Sequence, residues 1–400
     1  CHARFAEDAA VDNVAGMRSP QQLKFFVSSC ALLAASALGC GSTADSDATR
    51  GGSGTSTTSG GTTTSTGTET TTTGAGGSGG RGGSVGGGAL TIAEESTDFL
   101  GVTALPPPRS ERSHERPYQP GLGFDLKWNM GWMHDTLAFL GEDPLFRRHH
   151  HDRITFATLY RGQEAWVLPL SHDEVVHRKG ALAEKVLRWV HRDDSHPDVV
   201  ARRLARWTDD GAPQLRLLFG YQWTFPGKKL LFMGQEFGQP TEWAYDLSLP
   251  WHLAEEPLRR QLMAWVGALN SLYRQHPALH ELECELDGYA WVEGNDRDNS
   301  ILVWQRLARD GGALVVAAHF TGTWLADHWL PMPDVGHYRV LLSSADPRFG
   351  GSVTPPATVQ AEMAWGRPMT RIDLPGYALV VLERLPDPPA GADATLEAGA

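Results

Sequence analysis

The chain has 400 residues, a net charge of −12 and 14 tryptophans. That balance argues against a nucleic-acid partner or an anionic membrane surface, both of which need a basic face, and it is compatible with a neutral polyol. No stretch reaches the roughly 20 apolar residues of a membrane-spanning helix. Of the four cysteines, Cys1, Cys30, Cys40 and Cys284, only the last falls in the globular part, so no disulfide framework is expected there and a reducing compartment suits it.

Residues 1–16 fit no signal logic and stay unassigned. Residues 17–40 read as a lipoprotein-type signal segment. The basic run Met17 to Lys24 precedes an apolar run from Phe25 to Leu38, too short to span a bilayer. Ala37-Leu38-Gly39-Cys40 is a relaxed cleavage box in which Cys40 would carry the lipid. Residues 41–88 are expected to be disordered linker: from Gly51 to Gly88 only Glu69, Ala75, Arg81 and Val85 interrupt Gly, Ser and Thr. This leader predicts a secreted or membrane-anchored protein.

At Ala89 the composition changes. Ala89-Leu90-Thr91-Ile92-Ala93 reads as a buried strand whose C-terminal end carries Glu94 and Glu95. The grammar recurs in Trp166–Leu170, which ends in Ser171-His172-Asp173-Glu174, and in Lys229–Met233, which ends in Gly234-Gln235-Glu236. Between and after them lie helical stretches. Leu258, Leu262, Val266 and Leu269 recur at helical spacing, with Pro257 opening the helix and Pro277 just past its end. Short apolar strands with carboxylates at their C-terminal ends, alternating with helices, describe an α/β sheet over residues 89–285, its active site at the strand ends. Residues 286–388 then read as an all-β domain, a small sandwich, with strands at 300–306, 313–320, 338–342 and 378–385. Residues 389–400 are expected to be a disordered tail.

Several residues invite chemistry. Glu94 at an apolar strand end is a candidate general acid, since apolar flanks and a second carboxylate raise a carboxyl pKa; the alternative is a helix cap. His172-Asp173 carries the same two readings. Glu95 and Glu174 neighbour these positions, and adjacent residues of an extended strand face opposite ways, so one of each pair is excluded from the site. Trp128 and Trp132 either form a stacking wall for sugar rings or pack in the core. His134 and Asp135 either contact substrate or cap a helix. Glu236 is placed beside the last strand opening. His149-His150-His151-Asp152 makes a poor metal site because consecutive histidines diverge, and no metal or cofactor is expected.

Four local sequences carry a family resemblance. They are Ala93-Glu94-Glu95-Ser96-Thr97-Asp98-Phe99; Gly121–Phe124 running through Lys127-Trp128-Asn129-Met130-Gly131-Trp132-Met133-His134-Asp135-Thr136; Leu168-Pro169-Leu170-Ser171-His172-Asp173-Glu174-Val175-Val176-His177; and Phe225 through Phe237. In that order they resemble the glycogen (1,4-α-glucan) branching enzymes of the α-amylase family, and the likeness continues through Tyr273–His280. It implies the second half of a (β/α)8 barrel followed by a C-terminal β domain. The implied chemistry is a retaining double displacement that moves α-1,4 glucan chains to α-1,6 branches. By motif, Glu94 becomes the general acid/base and Asp173 the carboxylate that orients hydroxyls and stabilises the oxocarbenium-like transition state; His172 becomes a sugar ligand. The partner implied is an α-1,4-glucan, and the family's storage role implies a cytoplasmic location.

The departures concern the first half of the barrel. The family's nucleophile is an Asp in a run like Gly-Leu-Arg-x-Asp, ahead of the general acid, and here the Gly/Ser/Thr segment occupies that window. Arg371-Ile372-Asp373 has the local spacing but follows all the barrel motifs. His319 stands where an Asn is expected. A truncated branching enzyme, inactive alone, is therefore the leading expectation. The alternatives are a tethered, non-catalytic polysaccharide-binding lipoprotein and an α-glucan hydrolase.

Overall fold

The computed structural model describes residues 89–104, 121–188, 198 and 205–386. The expectations for the 17–40 signal segment, the Cys40 anchor, the 41–88 linker and the 389–400 tail lie outside the described residues.

Four short strands form a parallel sheet in chain order: β1 (Ile92–Ala93), β2 (Leu126–Trp128), β3 (Trp166–Leu170) and β4 (Lys228–Leu231). Helices α1 (Met130–Leu140) and α2 (His151–Phe156) connect β2 to β3. Helices α3 (Leu182–Lys185) and α4 (Ala212–Thr224) lie between β3 and β4, and α5 (Pro257–Gln275) follows β4. Parallel neighbours need such crossovers.

All five residues of β3 are buried, which explains its unbroken apolar sequence. Pro169 is tolerated there because β2 pairs only with Trp166 and Val167. Helix α4 is buried on nearly all sides, and its Gln222 Nε2 donates to the carbonyls of Leu168 and Leu230, both at 3.0 Å, tying β3 to β4.

Most of the expected stripe of α5 is present: Leu262, Val266 and Leu269 are buried, joined by Trp265 and Leu272, while Leu258 is half-buried and Pro257 occupies the first turn.

The expectation of a buried strand over 89–93 is corrected. Only Ile92–Ala93 pairs, on one side, with β2. Leu90 is 66% and Ile92 45% exposed, while Ala93 is buried. Among the described residues nothing pairs with the other edge of β1, and an apolar run without a second neighbour stays at the surface.

The second sheet is antiparallel and has eight strands: β5 (Tyr289–Asp296), β6 (Ile301–Leu307), β7 (Ala313–His319), β8 (Leu325–Pro331), β9 (Gly336–Ser343), β10 (Thr358–Ala364), β11 (Arg367–Leu374) and β12 (Leu379–Arg384). Its spatial order is β5-β6-β7-β12-β9-β10-β11-β8. Side chains alternate between two cores with the period of two that an extended chain imposes. Leu302, Trp304, Leu314, Val316, Leu379 and Val381 join a core shared with α1, α4 and α5. Ile301, Val303, Val315, Ala317, Val380 and Leu382 instead meet Leu330, Val359, Ala361, Ile372 and Leu374 from β8, β10 and β11. The expected sandwich is thus one continuous sheet folded over on itself.

Three buried arginines fasten the helices to this sheet. Arg147 donates to the carbonyls of Leu140 and Phe320 and to Gln214 Oε1. Arg216 Nε donates to Ser344 O at 2.8 Å. Arg306, on β6, donates to the carbonyls of Thr224, Leu279 and Gly288. Each caps carbonyls that end helices or strands, groups that would otherwise be buried without donors.

Candidate active site

The C-terminal ends of the parallel strands carry the ionisable groups. Glu94 directly follows β1, and Asp173 lies in the single turn His172–Val175 that follows β3. Ser171 caps that turn, its hydroxyl accepting from the Asp173 N–H at 3.3 Å. β2 lies between the two strands, yet the side chains of Glu94 and Asp173 come close enough for one carboxylate to act on the other. The His172 Nε2 stands 3.3 Å from Asp173 Oδ1, and its ring packs against Phe232 at 5.8 Å.

Glu94 holds its proton more tightly than an ordinary glutamate. Desolvation is the larger cause and the Asp173 carboxylate the second, with His172 opposing both. A neighbouring carboxylate disfavours the charged form of Glu94, in the same sense as its desolvation.

Glu95 is driven the other way. Its burial would raise the pKa, but hydrogen bonds from Lys127 and Thr97 outweigh that and lower it. The Lys127 ammonium stands 2.6 Å from Glu95 Oε2 and also donates to the carbonyls of Thr97 and Phe99. Lys127 is itself buried in the middle of β2, so this ion pair pins the segment after Glu94 to the neighbouring strand. Glu174 repeats the pattern, buried and 3.7 Å from Lys179 Nζ. Of each adjacent pair, one carboxylate is tied to a lysine and the other joins the Glu94–Asp173 contact.

The remaining sequence candidates divide. Trp128 ends β2, between the two carboxylate-bearing strands, and is half-buried. Glu236 is half-buried in the turn Gln235–Phe237 after β4. Gly234, at φ +87°, makes that turn, and a Cβ there would stand 2.5 Å from Gln239 Oε1.

Trp132 as a sugar-stacking wall is a correction. It is 0% exposed and stacks on Tyr221 at 6.1 Å, with Phe225 beside it. It points into the core because it occupies the first turn of α1 on the face that covers α4. His134 is exposed on α1 and Asp135 half-buried. Desolvation raises the Asp135 pKa; its charged neighbours are His134, Arg153 and Asp152, on the helices behind β2, and neither Glu94 nor Asp173 is among them.

The histidine run splits as its spacing requires. His149 is exposed, whereas His151 is buried with Nε2 2.9 Å from Gly294 O. Arg371 and Asp373 lie in β11: Arg371 pairs with Asp327, and Asp373 accepts from the Asp327 N–H.

Sequence reasoning missed two supports. Glu164 accepts from the backbone N–H groups of Gly101, Val102 and Thr103, clamping the segment downstream of Glu94. Asn129 Oδ1 accepts from Trp132 N at 2.8 Å and from the Tyr160 hydroxyl at 3.1 Å, starting α1 at the end of β2. An Asn before a helix is a capping signal. A carboxylate some 60 residues from the backbone it holds leaves none.

The chain is similar to known proteins over part of its length. The family model for the alpha amylase C-terminal all-beta domain matches residues 291–384. The 1,4-alpha-glucan branching enzyme GlgB of Burkholderia cenocepacia is 45% identical over 265 residues, 66% of this chain and 32% of that protein. The enzyme of the same name from Paramagnetospirillum magneticum is 45% identical over 267 residues, with the same shares. The chain therefore spans about a third of the length of the curated relatives it matches. A crystal structure of a putative alpha amylase from Salmonella typhimurium aligns with a TM-score of 0.41 at 16% identity, over 74% of this chain and 50% of that one.

Proposed function

We propose that this chain, whose residues beyond about 89 are similar to the C-terminal part of the 1,4-α-glucan branching enzymes, carries the acid/base half of that reaction. The observation that supports this best is the Glu94–Asp173 contact at the ends of β1 and β3, with the Glu94 proton affinity raised. On this reading the parallel sheet is the second half of a (β/α)8 barrel and residues 286–388 form the domain that backs it. Glu94 protonates the leaving glycosidic oxygen and then takes the proton from the acceptor hydroxyl. Asp173 accepts sugar hydroxyls and stabilises positive charge at the anomeric centre, and His172 donates to the same ring. Trp128 and Glu236 line the neighbouring strand ends.

The sequence contains no Gly-Leu-Arg-x-Asp run. The chain therefore turns over an α-1,4-glucan only when a first half-barrel supplies the nucleophilic carboxylate. The resemblance supports a cytoplasmic setting for this chemistry, against the secreted or anchored one that the leader suggests.

The test is to co-express the chain with the first half of a related branching enzyme and to follow α-1,6 linkages in amylose by NMR. The expected result is no turnover by the chain alone, new branches from the complemented enzyme, and a loss of about 10²–10⁴-fold on Glu94→Gln. Reducing ends without branches would point to hydrolysis instead. A complemented enzyme indifferent to Glu94→Gln would remove Glu94 from the mechanism.

A further inference from the structure

The segment that follows β4 is tied to the segment that follows β3, and the ties converge on His172. Phe232, the residue after β4, donates its N–H to Leu170 O at 2.9 Å, which carries the strand pairing one residue further toward the site. Its ring lies 5.8 Å from the His172 imidazole and meets the Trp243 indole edge-on, at 5.2 Å with the planes at 89°. Trp243 in turn donates its backbone N–H to Val175 O at 2.9 Å, and Val175 closes the turn that carries His172 and Asp173. Next to it, Glu242 Oε1 accepts from Gly180 N at 2.7 Å. The buried Gln239 shapes this loop from within, its Nε2 donating to the carbonyls of Thr241 and Glu242 at 3.0 and 3.2 Å.

His172 needs such support. It is exposed, and the torsion that turns an imidazole is broad and roughly two-fold. The Asp173 carboxylate beside Nε2 is itself 40% exposed, and a solvated polar contact of that kind fixes little. Phe232 gives the ring an apolar wall, and Trp243 holds the wall.

We infer that Phe232 and Trp243 are positioning residues for the strand-end site. Phe232 sets the angle from which His172 Nε2 faces Asp173 and a sugar in the same subsite, and Trp243 acts on the imidazole through Phe232. This rests on the reading of the strand ends as an α-glucan site. Groups that meet a substrate work only when packing around them locks their rotamers, and an aromatic pair supplies that lock without adding a charge to the site.

The experiment uses the full chain with 13C-labelled histidine, the His172 ring signal being identified by its loss in His172→Gln. Phe232→Leu and Trp243→Leu are expected to move that signal toward the position of free histidine. Trp243→Phe, which keeps an aromatic edge, is expected to leave it in place. Leu330→Ala, in the second core of the antiparallel sheet, is the control: it lowers the thermal midpoint without moving the signal. A His172 signal unmoved by both leucine variants, or moved as far by Leu330→Ala, would overturn the proposal. Calorimetric titration with maltoheptaose gives the second measurement. Each leucine variant is expected to weaken binding about three- to tenfold with His172 intact, and by less than about twofold in a His172→Ala background. Equal losses in the two backgrounds would show that the aromatic pair does not act through His172. A chain that binds no maltoheptaose refutes the glucan reading, and the His172 signal still decides what holds the ring.

Discussion

The two sheets treat the same apolar residue types in opposite ways. In the antiparallel sheet, β6, β7 and β12 each bury both faces, one against the helices and one against the sheet's own folded-over half. In the parallel sheet only β3 is buried throughout. β1 contributes a two-residue pairing, and Leu90, Ile92, Phe99, Leu100 and Met233 are exposed around the strand ends. A parallel sheet normally has both faces covered, and a free edge is a liability that a closed barrel removes. The difference teaches where each region gets its order. The antiparallel sheet closes its own core, whereas the parallel one depends on neighbours, and it is the dependent sheet whose ends carry the reactive carboxylates.

The sharpest way to break that comparison is to cut the link between the regions. Arg306→Ala removes the donor to three buried carbonyls and leaves a void between β6 and α4. The expected loss is about 3–5 kcal/mol. Because α1, α4 and α5 share one core with β6, β7 and β12, urea unfolding should remain a single transition, followed at tryptophan fluorescence and far-UV dichroism together. Two separated transitions would show that the sheets are stable independently. Arg306→Lys is expected to recover little, since an ammonium cannot reach three divergent carbonyls as a guanidinium does.

A pH experiment isolates the antiparallel side. His319 is fully buried, its Nδ1 3.1 Å from Pro375 O and its Nε2 2.7 Å from Thr321 Oγ1. Burial is the main cause that depresses its pKa from 6.5 to about 4. Below pH 6.5 the unfolded chain takes up a proton that the folded chain refuses, so folding stability falls as the pH drops. The effect is complete near pH 4 and amounts to about 3 kcal/mol. His319→Asn should flatten that limb of the stability-versus-pH curve. An unchanged slope between pH 6.5 and 4 would assign the acid sensitivity to other groups.

The smallest expected effect lies on the parallel side. His177 and Arg178, just past the turn that carries Asp173, both have positive φ, +56° and +66°. Left-handed backbone costs a non-glycine residue about 1–2 kcal/mol, and glycine returns part of that gain through its greater unfolded entropy. Arg178→Gly should therefore stabilise by about 0.5–1 kcal/mol, read as a higher urea midpoint at unchanged slope. A lower midpoint would mean that the Arg178 side chain holds this loop by contacts stronger than its strain.

Much of the fold was legible, and the misses share a cause. The strand at Trp166–Leu170 and the stripe of α5 follow from unbroken apolar runs and helical spacing. The strands of the antiparallel sheet expected at 300–306, 313–320, 338–342 and 378–385 appear within a residue or two of those bounds, with β9 running slightly longer. β5, β8, β10 and β11 were not anticipated. Thr358–Ala364 alternates buried and exposed positions with polar residues on the outer face, and Leu325–Pro331 is an edge strand exposed along its first half. Such segments resemble loops in composition because one of their faces meets water.

The sequence by itself determined which groups carry charge and where they stand relative to the strands: Glu94 and Asp173 both follow recognisable local patterns. Tertiary structure alone decided which of them meet. Glu94 and Asp173 come together across β2 although 79 residues separate them, and Trp132 turns from the strand ends into an aromatic core built by Tyr221 and Phe225. The physical reason is range. Backbone preference and side-chain period act over a few residues, while burial, proton affinity and stacking are set by whichever distant segments the packing of the helices and the two sheets brings into contact.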